Sequence, residues 1–351
     1  MELKKFDERV TKYCNENKIQ GNIRITIKDE IVYNKSFGYA DAEKKTELGD
    51  DSLFSFYSLS KPFCAIGLLL LKDKGLVDID KHPGEYLKEA RIFDERLTIR
   101  HMLYHVSGLH DILRCKDLVE RFGHGYPHEI KDQLFALEPY GMQFDPGTQG
   151  DYNNLNFSLC ALIIEAVSGM KYADYMKKEV FLPLGMKTAF VDDETKSTEN
   201  RAQGHELDGD RLVKVPRAIN WMLGGGDIVG TVDDVYRLNH AIKHRLLLRT
   251  ETWDEVLTVS NIHSFGLGCL IMDWDGKLRV NHNGGHVGFR TMHFQIMEDD
   301  FDFIILSNSG FGAARKDIVD IVHEEFYNNG GLVEYIEMDK GYIKPESECG
   351  K

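Results

Sequence analysis

Hydrophobic positions recur with two different periods along this chain, and the points where the period changes outline its architecture. Helical spacing covers residues 6–17 and stops before Gly21. Residues 22–27 then alternate apolar and polar, and residues 31–38 answer them across Lys28, Asp29 and Glu30, which predicts a hairpin. A polar loop over 42–51 leads to Ser58, where a second helix is expected to start. Ala65, Ile66, Leu68, Leu69 and Leu70 carry that helix to Lys74 and a capping Gly75. From about 76 to 219 the strand signal fades into helices and long loops. A short helix lies within 97–109, capped near Thr98 and stopped at Gly108, and a longer one spans about 156–167. Another helix, 232–245, opens at Thr231. Alternation returns at 265–272, 277–282, 289–297 and 301–307, with Asp275-Gly276 as a hairpin turn. A final amphipathic helix puts Ile318, Ile321, Val322 and Phe326 on one side. Strands at both ends and helices between them predict an α+β fold. One antiparallel sheet is built from both chain ends and flanked by helices, with an all-helical subdomain inserted. The expected boundaries are 1–75 with 223–330 for the sheet domain, 76–222 for the helical subdomain and 331–351 for a charged tail. A cleft at such a junction is a common place for a site.

Composition narrows the function. The chain has 351 residues, 42% of them hydrophobic, and a net charge of −14 without a basic stripe. Nucleic acid and anionic membrane are therefore disfavoured partners. No apolar run reaches transmembrane length, and the charged start lacks a signal-peptide core, which gives a cytoplasmic expectation unless a leader was removed. The six cysteines are scattered without a C-x-x-C pair, as for reduced structural thiols. Cys64, one turn beyond Lys61, is read as a core residue in preference to a site residue. His101 and His105 stand at i,i+4, yet no Glu follows the first and no third ligand is in view, so packing is preferred to a metal. The run Gly224-Gly225-Gly226 is not a phosphate loop, since no Lys-Ser/Thr follows it.

Chemistry concentrates at Ser58-Leu59-Ser60-Lys61. Spacing of i,i+3 puts both side chains on one helix face. Serine needs an adjacent base to become a nucleophile, and a lysine kept neutral by burial can supply it. The same S-x-x-K spacing at Ser168–Lys171 reads as a helix end running into a turn. Two further stretches stand out. Tyr152-Asn153-Asn154 offers a phenol and an amide at the start of a helix, where Asn154 also reads as a cap. His282-Asn283-Gly284-Gly285 follows a predicted strand; its plain reading is a glycine-rich turn, and its functional one is close backbone approach to a ligand. A backbone N–H there, with that of Ser58, could form an oxyanion hole, and His282 would flank the pocket as a polar or cationic group.

In the order S-x-x-K, Y-x-N, H-x-G, these elements resemble the serine β-lactamase and penicillin-binding-protein-like superfamily. The class C branch, with its D-alanyl-D-alanine carboxypeptidases, D-aminopeptidases and family VIII-type esterases, is the nearest in pattern. Residues 98–109, Pro183-Leu184-Gly185-Met186, and Gly225-Gly226 with Thr231 and Asp234 resemble further family segments, so that the likeness runs over about 5–328. It implies a β-lactamase/transpeptidase-like fold and a cofactor-free, metal-free serine hydrolase with an acyl-enzyme. Ser58 would be the nucleophile, Lys61 its base and Tyr152 a proton carrier. Asn154, His282, Gly284 and Gly285 would bind substrate, with Asn154 also orienting the lysine and Gly285 giving the second oxyanion N–H. His282 stands where many β-lactamases carry lysine, which weakens the case for β-lactams and favours a small ester, amide or peptide. The alternative is a non-catalytic penicillin-binding or muropeptide sensor or scaffold of the same fold. An α/β-hydrolase is disfavoured, since no G-x-S-x-G elbow occurs. The loop 114–143, with Phe122, Tyr126 and His128, is the expected lid, and the sequence leaves the oligomeric state open.

Overall fold

The computed structural model describes residues 3–122, 130–192, 199–216, 222–274, 276–309 and 314–326. Its centre is a six-stranded antiparallel sheet. The strands are β1 (Gly21–Ile27), β2 (Glu30–Phe37), β3 (Leu270–Trp274), β4 (Lys277–His286), β5 (Phe289–Ile296) and β6 (Phe301–Ser307). They lie in the order β3-β4-β5-β6-β1-β2, so the two ends of the chain meet where β1 pairs with β6, from Gly21 opposite Ser307 to Ile27 opposite Phe301. Alternation along the strands gives each face its own core. Ile23, Ile25, Phe303 and Ile305 turn to one side and bury Phe6, Val10, Ile318 and Val322 of the terminal helices, Leu3–Glu16 and Ala314–Phe326. Ile304, Leu306 and Val280 turn to the other side and join the main core.

That second core surrounds the helix Lys61–Asp73, which is buried continuously from Lys61 to Leu71. A helix apolar on every side needs cover all round. The helix Asn154–Ser168 gives it on one side and the segment Met176–Phe181 adds to it, while the sheet meets the Tyr57–Ser60 turn ahead of it. Gly75, in the left-handed region at φ 71°, ends it in a Schellman turn, with Leu76 N donating to Leu71 O and Gly75 N to Lys72 O.

The structure departs from the sequence reading at informative places. The α-helix begins at Lys61; Tyr57–Ser60 form a 3-10 turn ahead of it. Residues 265–269 are not a strand. Gly268 lies so close to the central helix that a Cβ would come within 2.5 Å of Ala65 Cβ, and one on Gly266 within 2.0 Å of Val256 O, so this segment crosses the helix as bare backbone. Strand β4 runs through Gly284 and Gly285 to His286, and the turn falls after it at Gly288. Within 76–222 there are also short strands, Phe190–Val191 and the polar hairpin His205–Asp208 with Arg211–Lys214, too polar to show as strands in the pattern. The tail 331–351, Tyr126, His128 and Asp275 lie outside the described residues, as does the side chain of Phe122.

Gly284 ties the sheet to the turn that carries Ser58. A Cβ there would fall 2.0 Å from Phe56 O and 2.4 Å from Thr291 Oγ1, where the Thr291 hydroxyl donates to Phe56 O at 2.8 Å. Gly284→Ala is expected to push β4 off this turn and lower stability by roughly 1–3 kcal/mol. A urea midpoint below that of the wild type would show it; an unchanged midpoint would contradict this packing.

Candidate active site

The Ser58 turn is clamped from below. Strand Phe54–Ser55 pairs with Ile228–Gly230, Phe56 N donates to Ile228 O, and Ile228 N donates to Ser60 Oγ. Tyr57 then takes a left-handed φ of 50°, an uncommon conformation for a residue with a side chain. Its ring is buried near His286 and Phe289, with centroids 5.3 and 5.8 Å away. The kink turns Ser58 toward the mouth of a cavity of about 560 Å³.

Lys61, one turn on, is fully buried. Its Nζ donates to Ser58 Oγ at 3.1 Å, Asn154 Oδ1 at 2.9 Å and Gly225 O at 2.7 Å. Burial disfavours the ammonium and brings its pKa down to about 7, although Asp111, Cys64 and Asp227 pull the other way. Near neutral pH this amine therefore holds a substantial uncharged fraction beside the Ser58 hydroxyl.

Each acceptor around Lys61 is held in turn. Asn154 is the first residue of its helix rather than the cap. Its Nδ2 and backbone N both donate to Asp111 Oδ2, at 2.8 and 2.9 Å, which fixes the amide so that Oδ1 faces Lys61. Gly225 O is offered by a turn in which Gly225 N and Gly226 N both donate to Met222 O. Gly224 N donates to Asp227 Oδ2 at 2.7 Å, and burial pushes the Asp227 carboxyl up to about 7.

Tyr152 closes the other side. Its ring stands 4.8 Å from Lys61 Nζ and stacks on His105 at 4.4 Å. Its phenol faces the Ser58 hydroxyl; burial raises the phenol pKa, and the neighbouring Ser58 offsets part of the rise. His105 is locked by Asn153 N, which donates to its Nδ1 at 3.0 Å. His101 Nδ1 instead accepts from Thr98 N in the capping box of helix Ile99–Leu103. Both rings thus serve backbone N–H groups, the packing role expected of them. Cys64 is buried with its thiol toward Phe157 O, a core position. Ser168 ends its helix next to Gly169, the left-handed cap.

The cavity joins Ser58 and Tyr152 to the end of β4, where His282, Gly284 and Gly285 form a wall. Gly284 points inward against Phe56, whereas Gly285 is exposed in the cavity opposite Arg290 of β5. His282 is 2% exposed; burial, reinforced by the nearby Lys61, brings its pKa down to about 3, so its ring is neutral, not cationic. The seven residues singled out from sequence therefore gather here, five around the cavity, with Lys61 behind Ser58 and Asn154 behind Lys61. Asp111, Asp227 and the Gly225 carbonyl escaped the sequence reading. The glycine run and the segment after 98–109 mark their neighbourhood, but nothing local shows that they face Lys61.

A serine on the turn that leads into a buried central helix, and a lysine at that helix's first position, beside the end of an antiparallel sheet, place the chain in the class of β-lactamase-fold proteins of serine-hydrolase type. The family model described as Beta-lactamase matches residues 6–324, and the chain belongs to that family. It is 30% identical to penicillin-binding protein 4* of Bacillus subtilis, over 80% of this chain and 66% of the relative. It is 26% identical to the D-aminopeptidase of Brucella anthropi, over 89% of this chain and 62% of that one. The chain thus spans about two thirds of the length of these relatives. The fold also matches an octameric penicillin-binding protein homologue from Pyrococcus abyssi, with a TM-score of 0.81 at 23% identity over 96% of this chain and 81% of the other. Against the D-amino acid amidase of Ochrobactrum anthropi SV3 the TM-score is 0.76 at 22% identity, over 92% and 98%. Among the described residues no helix is long and apolar enough to cross a membrane.

If uncharged Lys61 takes the Ser58 proton, kcat/KM rises with pH through an acid limb near 7, since protonated Lys61 cannot accept. Asp111 favours the charged amine, so Asp111→Asn is expected to move that limb to lower pH. A pH–rate profile measures both, and a limb that stays in place or moves up would contradict the assignment.

Proposed function

We propose that the protein is a serine hydrolase that forms an acyl-enzyme on Ser58, acting on an ester or on a D-amino-acid-type amide or peptide, with β-lactam hydrolysis weaker. The observation that carries this reading is the buried Lys61 amine, its pKa brought down to about 7, at 3.1 Å from the Ser58 hydroxyl. Ser58 Oγ attacks the substrate carbonyl as its proton passes to Lys61 Nζ. The backbone N–H groups of Ser58 and Gly285 hold the oxyanion. As the carbonyl carbon breaks its bond to the leaving nitrogen or oxygen, Tyr152 gives that atom its phenolic proton and recovers one from Lys61. Water then adds to the acyl carbon, loses its proton to the same pair, and releases the acid and Ser58.

No metal or cofactor enters these steps. Asn154 holds the lysine, and Gly284 lets β4 approach the nucleophile. The D-aminopeptidase relative supports an amide or peptide substrate. A cytoplasmic setting belongs to the same proposal and suits the buried thiols of Cys14, Cys64, Cys160 and Cys269. The penicillin-binding relatives favour one second reading, a sensor that acylates once and does not turn over.

Intact-mass spectrometry with a fluorophosphonate and with penicillin, beside turnover of p-nitrophenyl butyrate, separates the two. A Ser58 adduct with ester turnover is expected, and Ser58→Ala should abolish the adduct and cut turnover by about four orders of magnitude or more. A stable stoichiometric penicilloyl adduct without turnover would establish the sensor instead. Turnover that survives Ser58→Ala would overturn both.

A further inference from the structure

The tautomer of His282 is readable from its surroundings. Its Nδ1 lies 2.7 Å from the carbonyl oxygen of Asn283, which can only accept, so Nδ1 carries the hydrogen. Nε2 is then a bare lone pair. It is buried, and among the described residues it has no hydrogen-bond partner. The ring forms part of the cavity wall beside Ser58, with Tyr152 and Phe265 centroids 6.4 and 6.2 Å away. Structures rarely leave a buried acceptor unmet, because losing its water without a replacement donor is costly.

We propose that His282 reads an uncharged N–H of the substrate, so that the pocket takes a carboxamide or peptide group where it turns away a carboxylate. This rests on the hydrolase reading above and names its substrate class. A carboxylate at this position would set its own lone pairs against that of Nε2, whereas a carboxamide nitrogen supplies the missing hydrogen. Protonation does not rescue the anion near neutral pH, since burial, the charge of Lys61 and, across the strand pair, His293 all oppose it. The fixed charges on the cavity wall are otherwise Arg290 and Glu206. Arg290 Nη1 donates to Phe289 O at 2.6 Å and His286 O at 3.3 Å, and Glu206 Oε1 accepts from Gly288 N at 2.8 Å, so both also brace the turn after β4. A site built around one buried acceptor discriminates most strongly against analogues that lack the donor.

The test uses three D-alanyl peptides that differ only in the terminal group of the leaving residue: carboxamide, dimethylamide and carboxylate. For the wild type, kcat/KM for the carboxamide should exceed that for each of the others by about tenfold or more. His282→Leu should level the three, His282→Gln should keep part of the preference through its amide oxygen, and His282→Lys should raise the carboxylate above the carboxamide. Fluorophosphonate labelling of Ser58 in each variant confirms a folded, acylation-competent site. A wild-type preference for the carboxylate that disappears in Arg290→Gln would assign recognition to the guanidinium and overturn the proposal. So would a carboxamide preference that survives His282→Leu while all three rates fall alike, since His282 would then act on the catalytic groups. Absence of any Ser58 label in the wild type would instead bring down the hydrolase reading, and this inference with it.

Discussion

Everything at this site depends on keeping the amine of Lys61 out of water. Lowering a lysine pKa from 10.5 to about 7 penalises the charged form by on the order of 5 kcal/mol. The fold carries that penalty because the central helix is buried from Lys61 to Leu71 and packed against Asn154–Ser168. A lysine so enclosed must still satisfy its N–H groups, and Ser58, Asn154 and Gly225 do so. In the proposed mechanism one of these partners, Ser58, is the group to be activated. The constraint that stabilises the amine is thus the one that aims it.

The outer parts of the site follow from this arrangement. Asp111 and Asp227 oppose the desolvation of Lys61, which keeps its affinity for protons near neutrality instead of far below it. They also hold the other two acceptors, through Asn154 and the Gly224 turn. On the far side the glycines of β4 let a strand lie against the serine turn without a side chain between them. The result is a polar, preorganised centre in an apolar core, meeting the cavity at Ser58 and Tyr152.

How much of this can be read from sequence depends on the range of the forces involved. The central helix, the terminal hairpins and the S-x-x-K pair are local, and the apolar run after Lys61 and the alternation of residues 301–307 display them directly. The meeting of Tyr152 and Asn154 with Ser58 followed from family resemblance, since nothing in the spacing of residues 58 and 152 requires it. Asp111 was invisible for the same reason: its carboxylate meets Asn154 only after the chain has folded over 43 residues of separation. Gly284 and Gly268 show a different limit. Both looked like strand or turn glycines, and both turn out to mark close backbone approach, which depends on partners far along the chain. The charge state of His282 could not be inferred from residue type either, because it is decided by burial and by Lys61.

The most direct test of the central claim is a titration of the Lys61 amine by NMR, using lysine labelled at Cε and Lys61→Met to assign the resonance. A transition centred at about pH 7 is the predicted result. A Lys61 signal that stays in its charged position up to pH 10 would show an ordinary ammonium and contradict the account.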